Sequence, residues 1–204
     1  MSVPFTTLPL RPELLQGIAQ IGYETMTPIQ EKGLPLMLEG QDVIGQAKTG
    51  SGKTAAFGLA LLNAIDPELR KTQALVLCPT RELADQVAMA LRQLAQRMSN
   101  TRILTLCGGR PYRDQLAALE HGNHIVVGTP GRIGKHVQKR SLRLRDLSVL
   151  VLDEADRMMD MGFIDQVMDI LYHAPIDRQT LLFSATFPPE IEVLSTSIQR
   201  RPQT

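Results

Sequence analysis

Cysteine is scarce in this 204-residue chain: Cys78 and Cys107 are the only two. Each lies in an apolar, strand-like run. Buried free thiols in a reducing compartment are the expectation, and a disulfide framework is excluded. No histidines stand at ligand spacing around them, so a metal site is not indicated either. An excess of charge is also missing. The formal net charge is +1, which excludes a general polybasic mode of nucleic-acid binding. RNA or DNA would have to be held by placed groups, such as helix N-termini and a few arginines. No apolar run approaches the ~20 residues of a membrane span. Met1-Ser2-Val3-Pro4-Phe5 has neither a basic n-region nor an apolar h-region, so no secretory signal is expected and a cytoplasmic protein is. No internal repeat or low-complexity segment occurs.

What is present is a core. Hydrophobic residues make up 43% of the chain, and the length suits one large α/β domain. Leu14, Leu15, Ile18 and Ile21 recur at helical spacing, closed by Gly22. A second helix opens at Thr27-Pro28 and runs through Leu38, with Pro35 predicting a kink or break. Thereafter short apolar runs alternate with helical patterns: Asp42 to Gln46, Ala74 to Cys78, Ile103 to Cys107, His124 to Val127, Leu147 to Leu152 and Thr180 to Phe183. The helix after Pro79-Thr80 is expected to reach Met98, with Leu83, Val87, Leu91 and Leu94 on one face. This alternation predicts a parallel sheet with helices on both faces. The polar turns then share the carboxyl ends of the strands, where ligands bind in such sheets.

Ala47-Lys48-Thr49-Gly50-Ser51-Gly52-Lys53-Thr54 follows the first strand and opens a strong helix. That context reads as a phosphate-binding loop rather than a Gly/Ser linker. Its glycines let backbone N–H groups converge on a phosphate, and the helix N-terminus adds positive potential. Lys53 would reach the β/γ-phosphates and Thr54 would ligate Mg²⁺. Ala47 stands where the general pattern has glycine. Asp153-Glu154 directly follows Leu150-Val151-Leu152, where the second Mg²⁺-holding acid belongs. Asp153 would hold the ion, directly or through water, and Glu154 would orient or deprotonate the attacking water. The competing reading is a helix N-terminus carrying acids to suit its dipole.

Asp153-Glu154-Ala155-Asp156 resembles the motif that names the DEAD-box RNA helicases, and their other first-domain motifs occur in order. Gly22-Tyr23 through Thr27-Pro28-Ile29-Gln30, with Phe5 upstream, resembles the Q motif. Ala47 to Thr54 resembles motif I, alanine included. Pro79-Thr80-Arg81-Glu82-Leu83 is similar to motif Ia, Gly108-Gly109 to the glycine doublet, Thr129-Pro130-Gly131-Arg132 to motif Ib and Ser184-Ala185-Thr186 to motif III. Gln46 to Gly58, Thr72 to Val87 and Ile103 to Gly109 most resemble a bacterial member that acts in ribosome assembly.

The resemblance implies a RecA-like P-loop NTPase domain with ATP and Mg²⁺ as cofactors. It implies that Gln30 pairs with the N6/N7 edge of adenine, selecting ATP over GTP. Tyr23 and Phe5 either pack on the adenine or belong to the core. Pro79, Thr80, Arg81, Gly108, Gly109, Thr129, Pro130, Gly131 and Arg132 are implied RNA contacts. They lie at turns that start helices, and are directed at backbone rather than bases. Singly, Arg81 and Arg132 also read as surface salt-bridge partners. Asp156 is expected to bond to Ser184 or Thr186, linking hydrolysis to the RNA surface.

No His-Arg-x-Gly-Arg-like run occurs, so a fragment is expected. Residues 1–40, the Q-motif region, and 41–204, the first RecA-like domain, would form one globular unit. A second RecA-like domain, with its arginine fingers, would be absent from this chain. Pre-ribosomal RNA is the implied partner, and a monomer suffices. A nucleotide-gated RNA clamp, and a DNA helicase or transport ATPase, are the alternative functions.

Overall fold

A computed structural model describes residues 3–204; Met1 and Ser2, the first residues of the stretch read as leaderless, lie outside the described residues. After a single 3₁₀ turn, Phe5–Thr7, two helices precede the sheet: α1 (Pro12–Ile21) and α2 (Pro28–Leu38). Gly22 ends α1 in the left-handed conformation, at φ +83°. Strands and helices then alternate: β1 (Val43–Gln46), α3 (Lys53–Ala64), β2 (Ala74–Leu77), α4 (Arg81–Leu94), β3 (Ile103–Leu106), α5 (Tyr112–Glu120), β4 (Ile125–Gly128), α6 (Pro130–Gln138) and β5 (Val149–Leu152). Two short helices follow, α7 (Ala155–Asp160) and α8 (Ile164–Tyr172), then β6 (Gln179–Ser184) and α9 (Pro189–Ile198).

The six strands form one sheet, ordered β1-β6-β5-β2-β4-β3, and every pairing is parallel. Successive residues of a strand point to opposite faces, and here each face has its own core. Val76, Val127, Val151, Leu181 and Phe183 pack with Leu14, Leu34, Phe57 and Leu91 beneath α1–α4. Leu75, Leu77, Val126, Leu150 and Leu182 pack with Ile133, Met158, Ile170 and Leu194 on the other side. Burial on both faces explains why the inner strands β2, β4 and β5 read as continuous apolar runs. This is the expected α/β architecture, a parallel sheet with helices on both faces.

Two elements differ from expectation. The sequence puts a break at Pro35, yet α2 continues through it to Leu38. The carbonyl that loses its donor is that of Glu31, a residue on the exposed side of the helix, where solvent can take the place of the missing N–H. Helix α4 stops at Leu94 rather than Met98. The chain turns there because Gln96 donates to the Gly17 carbonyl and Arg97 to Gln20, drawing it onto α1. On α4 itself, Ala84 and Ala88 complete the buried face, while Leu83 is only half-buried.

The amino-terminal helices are tied to the phosphate loop. Gln30 of α2 accepts from the Thr27 N–H at 2.8 Å and donates to the Gly52 carbonyl at 3.0 Å. At the far edge, Gln203 pairs with β1: Ile44 N–H donates to the Gln203 carbonyl at 2.7 Å. Asp42 caps this corner, accepting from the N–H groups of Thr180 and Arg200. Among the described residues no helix is long and apolar enough to cross a membrane.

Candidate nucleotide and RNA sites

The loop from Ala47 to Thr54 leaves β1 at the carboxyl end of the sheet. Gly50 and Gly52 hold φ +83° and +90°. At Gly52 a side chain is excluded twice, by the left-handed backbone and because a Cβ would lie 2.7 Å from Gln30 Nε2. Gly52 caps α3, so Lys53 becomes its first residue and turns inward. Lys53 is 3% exposed and Asp153, at the end of β5, is 0% exposed. Their Nζ and Oδ1 lie 2.6 Å apart.

Glu154 adopts φ +54°, a conformation that costs a non-glycine residue on the order of 1–3 kcal/mol. The bend aims its carboxylate at the loop. Thr49 Oγ1 donates to Glu154 Oε1 at 3.0 Å, and Arg157 Nη1 donates to Oε2 at 2.7 Å. Lys53 Nζ stands 3.8 Å from the same Oε1. The structure thus brings Lys53, Asp153, Glu154 and Thr49 into one cluster across 105 residues of sequence. Burial raises the pKa of Asp153, and the ammonium of Lys53 works against that rise.

The oxygens available to a divalent ion are of the right kind. Asp153 Oδ2 is buried without a hydrogen-bond partner among the described residues. The half-buried Thr54 stands next to Lys53 at the start of α3. A buried, unpartnered carboxylate oxygen suits Mg²⁺, which takes a few oxygen ligands and keeps several waters, and Thr54 offers a hydroxyl of the same hard-oxygen kind.

Lys48 and Thr49 are exposed, Ser51 is half-buried, and Ala47 packs inward. A cavity of about 240 Å³ lies beside the loop, lined by Tyr23, Gly50, Gly52, Lys53, Thr54 and Gln93 among others. Phe5 is a core residue, 3% exposed. Tyr23 stacks outside it, with ring centroids 6.5 Å apart, and keeps 44% of its surface. Gln30 is buried, its amide engaged with Gly52 rather than open to solvent.

A second recess, about 600 Å³, opens at the carboxyl ends of β2, β3 and β4. Pro79, Thr80, Arg81, Gly108, Gly109, Thr129, Gly131 and Arg132 all line it. Pro130 does not; it is the buried first residue of α6. The amino ends of α4 and α6 both open here, and Thr80 caps α4 by accepting from the Leu83 N–H. Among the described residues neither Arg81 nor Arg132 forms an ion pair, contrary to the reading of each taken singly. Arg81 lies against Gly109.

Arg132 is held by a network that the motifs do not announce. Its Nη1 donates to the Arg110 carbonyl and to Gln115 Oε1, both at 2.9 Å. Gln115, 4% exposed, donates in turn to the Cys107 carbonyl at 2.9 Å. His136 Nε2 meets the same Gln115 oxygen at 3.0 Å, which requires that nitrogen to carry the proton. Its Nδ1 faces Ser141 Oγ, and its ring stacks on Tyr112 at 4.3 Å. Burial, then the charges of Arg132, Lys135 and Lys139, push the His136 pKa down to about 4, so the ring is neutral. Met161 and Phe163 add an apolar rim to the recess that sequence reasoning also missed.

Between the two sites lies a turn. Asp156 Oδ2 accepts from the Thr186 N–H at 3.0 Å and from its hydroxyl at 2.9 Å. Ser184 Oγ accepts from the Asp156 N–H at 3.3 Å and donates to the Thr186 carbonyl at 2.7 Å. Burial alone would raise the Asp156 pKa, but these bonds and the Arg157 N–H hold it below the usual carboxylate value.

Residues 27–194 match the DEAD/DEAH box helicase family. The chain belongs to that family. It is 58% identical over 199 residues to the ATP-dependent RNA helicase DbpA of Escherichia coli K12, covering 97% of this chain and 44% of the relative. It is 50% identical to the ATP-dependent RNA helicase DeaD of Klebsiella pneumoniae, covering 98% and 31%. A DEAD box protein from the hyperthermophile Methanococcus jannaschii superposes with a TM-score of 0.94 at 40% identity, over 98% of this chain and 55% of that one. The chain therefore spans less than half the length of these two curated DEAD-box relatives.

Proposed function

We propose that this chain is the nucleotide-binding domain of an ATP-dependent RNA helicase. The buried Lys53–Asp153 pair, with Glu154 and Thr49 closing over it, carries the reading. Residues 1–40 and 41–204 act as one globular unit, because Gln30 touches both its own helix and the phosphate loop. Asp153 and Thr54 would hold Mg²⁺, which screens and orients phosphate charge when bound. Lys53 then exchanges its carboxylate partner for phosphate oxygens, and Glu154 exchanges Thr49 and Arg157 for a water proton. Gln30 would exchange its bonds to Thr27 and Gly52 for the adenine edge, with the exposed Tyr23 lining the cavity beside the loop. Lys48 to Thr54 supply backbone N–H donors to the phosphates, with Ala47 packed beneath them.

Arg81, Arg132, Gly108, Gly109, Thr80 and the amino ends of α4 and α6 would take backbone phosphates of one RNA strand. Pro79, Thr129, Pro130 and Gly131 shape the turns that present them. The link through Asp156, Ser184 and Thr186 would report nucleotide state to that surface. A second RecA-like domain would supply the missing transition-state cations, whose absence costs ~10³–10⁵ in rate. This chain alone should hydrolyse almost nothing, and RNA-stimulated turnover by it at full-length rates would refute that. In the whole protein, closure of two domains would pry short duplexes apart, with assembly of the large ribosomal subunit in the cytoplasm as its setting. The likeness to two ATP-dependent RNA helicases supports the unwinding.

Calorimetric titration with Mg-ADP, with GDP, and with a Gln30→Ala variant tests the nucleotide site. Adenine-selective binding that weakens in the variant is expected, whereas equal affinity for both bases removes the base-selection argument. The second reading is a nucleotide-gated RNA clamp, favoured by the closed arrangement of Thr49 on Glu154. Strand displacement by the full-length protein with ATP but not with a non-hydrolysable analogue would decide for the helicase.

A further inference from the structure

The pole of the sheet opposite the phosphate loop carries a recess that neither site uses. Three loops, at the amino ends of β2, β4 and β5, enclose about 360 Å³. Four cationic side chains line it, Arg70, Lys71, Arg143 and Arg145, against two carboxylates, Glu120 and Asp146. Asp146 is already engaged by two of the four, by Lys71 at 3.6 Å and Arg145 at 3.2 Å. Arg70 and Arg143 are exposed, and neither forms an ion pair among the described residues.

A chain of net charge +1 thus gathers an excess of positive charge, four cations against two carboxylates, in one concave place where low-dielectric walls focus the field. The recess is also built. At Gly122, φ +76°, a Cβ would lie 2.8 Å from the Arg70 carbonyl, so the turn after α5 and the Arg70 loop are in direct contact. Thr72, 8% exposed, lines the recess and makes no side-chain hydrogen bond to another described residue. Two guanidiniums without carboxylate partners, with the Thr72 hydroxyl between the loops, outnumber the one unpaired carboxylate of the recess, Glu120, and phosphate oxygens match this donor set.

We propose that this cleft is a second anion site, which takes the phosphates of a nucleic-acid backbone away from the nucleotide loop and the motif-lined recess. That its occupant is RNA rests on the helicase reading; that it binds phosphate does not. Such a contact would hold a flank of the RNA on the far side of the domain.

Amide NMR on the 204-residue chain, saturated with Mg-ADP, resolves the sites. Pyrophosphate is expected to move the amides of Arg70, Thr72, Gly122 and Arg143. A short single-stranded RNA should move the same amides and bind about tenfold tighter, because several phosphates are engaged at once. An Arg70→Gln/Arg143→Gln double variant should lose these shifts and reduce the salt slope of RNA binding by about 1.4, at about 0.7 per phosphate contact. Its Mg-ADP shifts at residues 48–54 should be unchanged, which shows the fold intact. Shifts confined to residues 48–54 or to the motif-lined recess, or shifts that survive the double variant, overturn the proposal. Pyrophosphate and RNA binding equally overturns the nucleic-acid assignment. Failure of Mg-ADP to bind while the cleft shifts persist would instead count against the helicase reading.

Discussion

Lys53 and Asp153 neutralise one another out of reach of water, at 2.6 Å and almost without exposed surface. Removing one partner leaves the other bare, so Lys53→Met should destabilise the chain by about 3–5 kcal/mol. The double variant Lys53→Met/Asp153→Leu should recover much of that loss. Without the ammonium the Asp153 pKa rises further, and the sign follows: a carboxyl whose folded value is raised favours the folded state at low pH. Lys53→Met should therefore lose stability as pH rises from about 4. Urea midpoints across pH 4–8 check this, and a single variant as stable as the parent refutes it.

His136 gives the opposite slope. Its pKa is pushed down to about 4 in the folded state and returns to about 6.5 on unfolding. Its contribution is complete above pH 6.5 and is lost as pH falls towards 4. Linkage puts that loss at up to about 3 kcal/mol. The chain should show a stability loss between pH 6.5 and 4 that is absent from His136→Gln, read from thermal or urea unfolding at each pH.

Gln115 is expected to matter for RNA and not for nucleotide. Gln115→Leu removes the acceptor shared by Arg132 and His136 and the donor to the Cys107 carbonyl. Leaving such buried groups unpaired costs about 1–3 kcal/mol each, so a loss of roughly 2–4 kcal/mol in stability is expected. Fluorescence anisotropy with a labelled RNA should show about tenfold weaker binding, while Mg-ADP affinity stays within about twofold. Loss of both affinities together would mean simple unfolding.

Asp156→Asn keeps the shape of the turn but weakens both bonds from Thr186. Charge-assisted bonds are worth about 1.5–3 kcal/mol; for this half-buried group about 1 kcal/mol is expected after screening. Because the folded carboxyl lies below its ordinary value, the parent should lose this contribution as pH falls below about 4 and the variant should not. In the full-length protein the variant should bind ATP and RNA separately but bind RNA no tighter when ATP is present. Undiminished coupling would exclude this turn as the link.

The parts legible in the sequence are those where the chemistry needs adjacent residues of fixed type. Gly50, Gly52 and Lys53 occur together because a phosphate loop requires left-handed backbone and a terminal cation within one turn. Asp153-Glu154 is legible because carboxylates seldom follow a fully apolar strand without a use. The network behind Arg132 was not legible: Gln115 and His136 lie 17 and 21 residues from their partners, Arg132 and Gln115. Each alone reads as an ordinary helix residue. The same holds for Arg157 on Glu154, which depends on the bend at φ +54°. Strand order was likewise hidden, because six short runs of four to six residues, most of them buried, carry no signal of who pairs with whom.

The place of β6, hydrogen-bonded to β1 on one side and β5 on the other, has a mechanical consequence. The strand that carries the phosphate loop and the strand that carries the acids are clamped to a common central rib. They cannot slide past each other without shearing two ladders at once. The domain is thus a stiff chassis, and whatever movement accompanies its work must come from the hinged turns mounted at its rim, on the time scale of loops rather than of sheets.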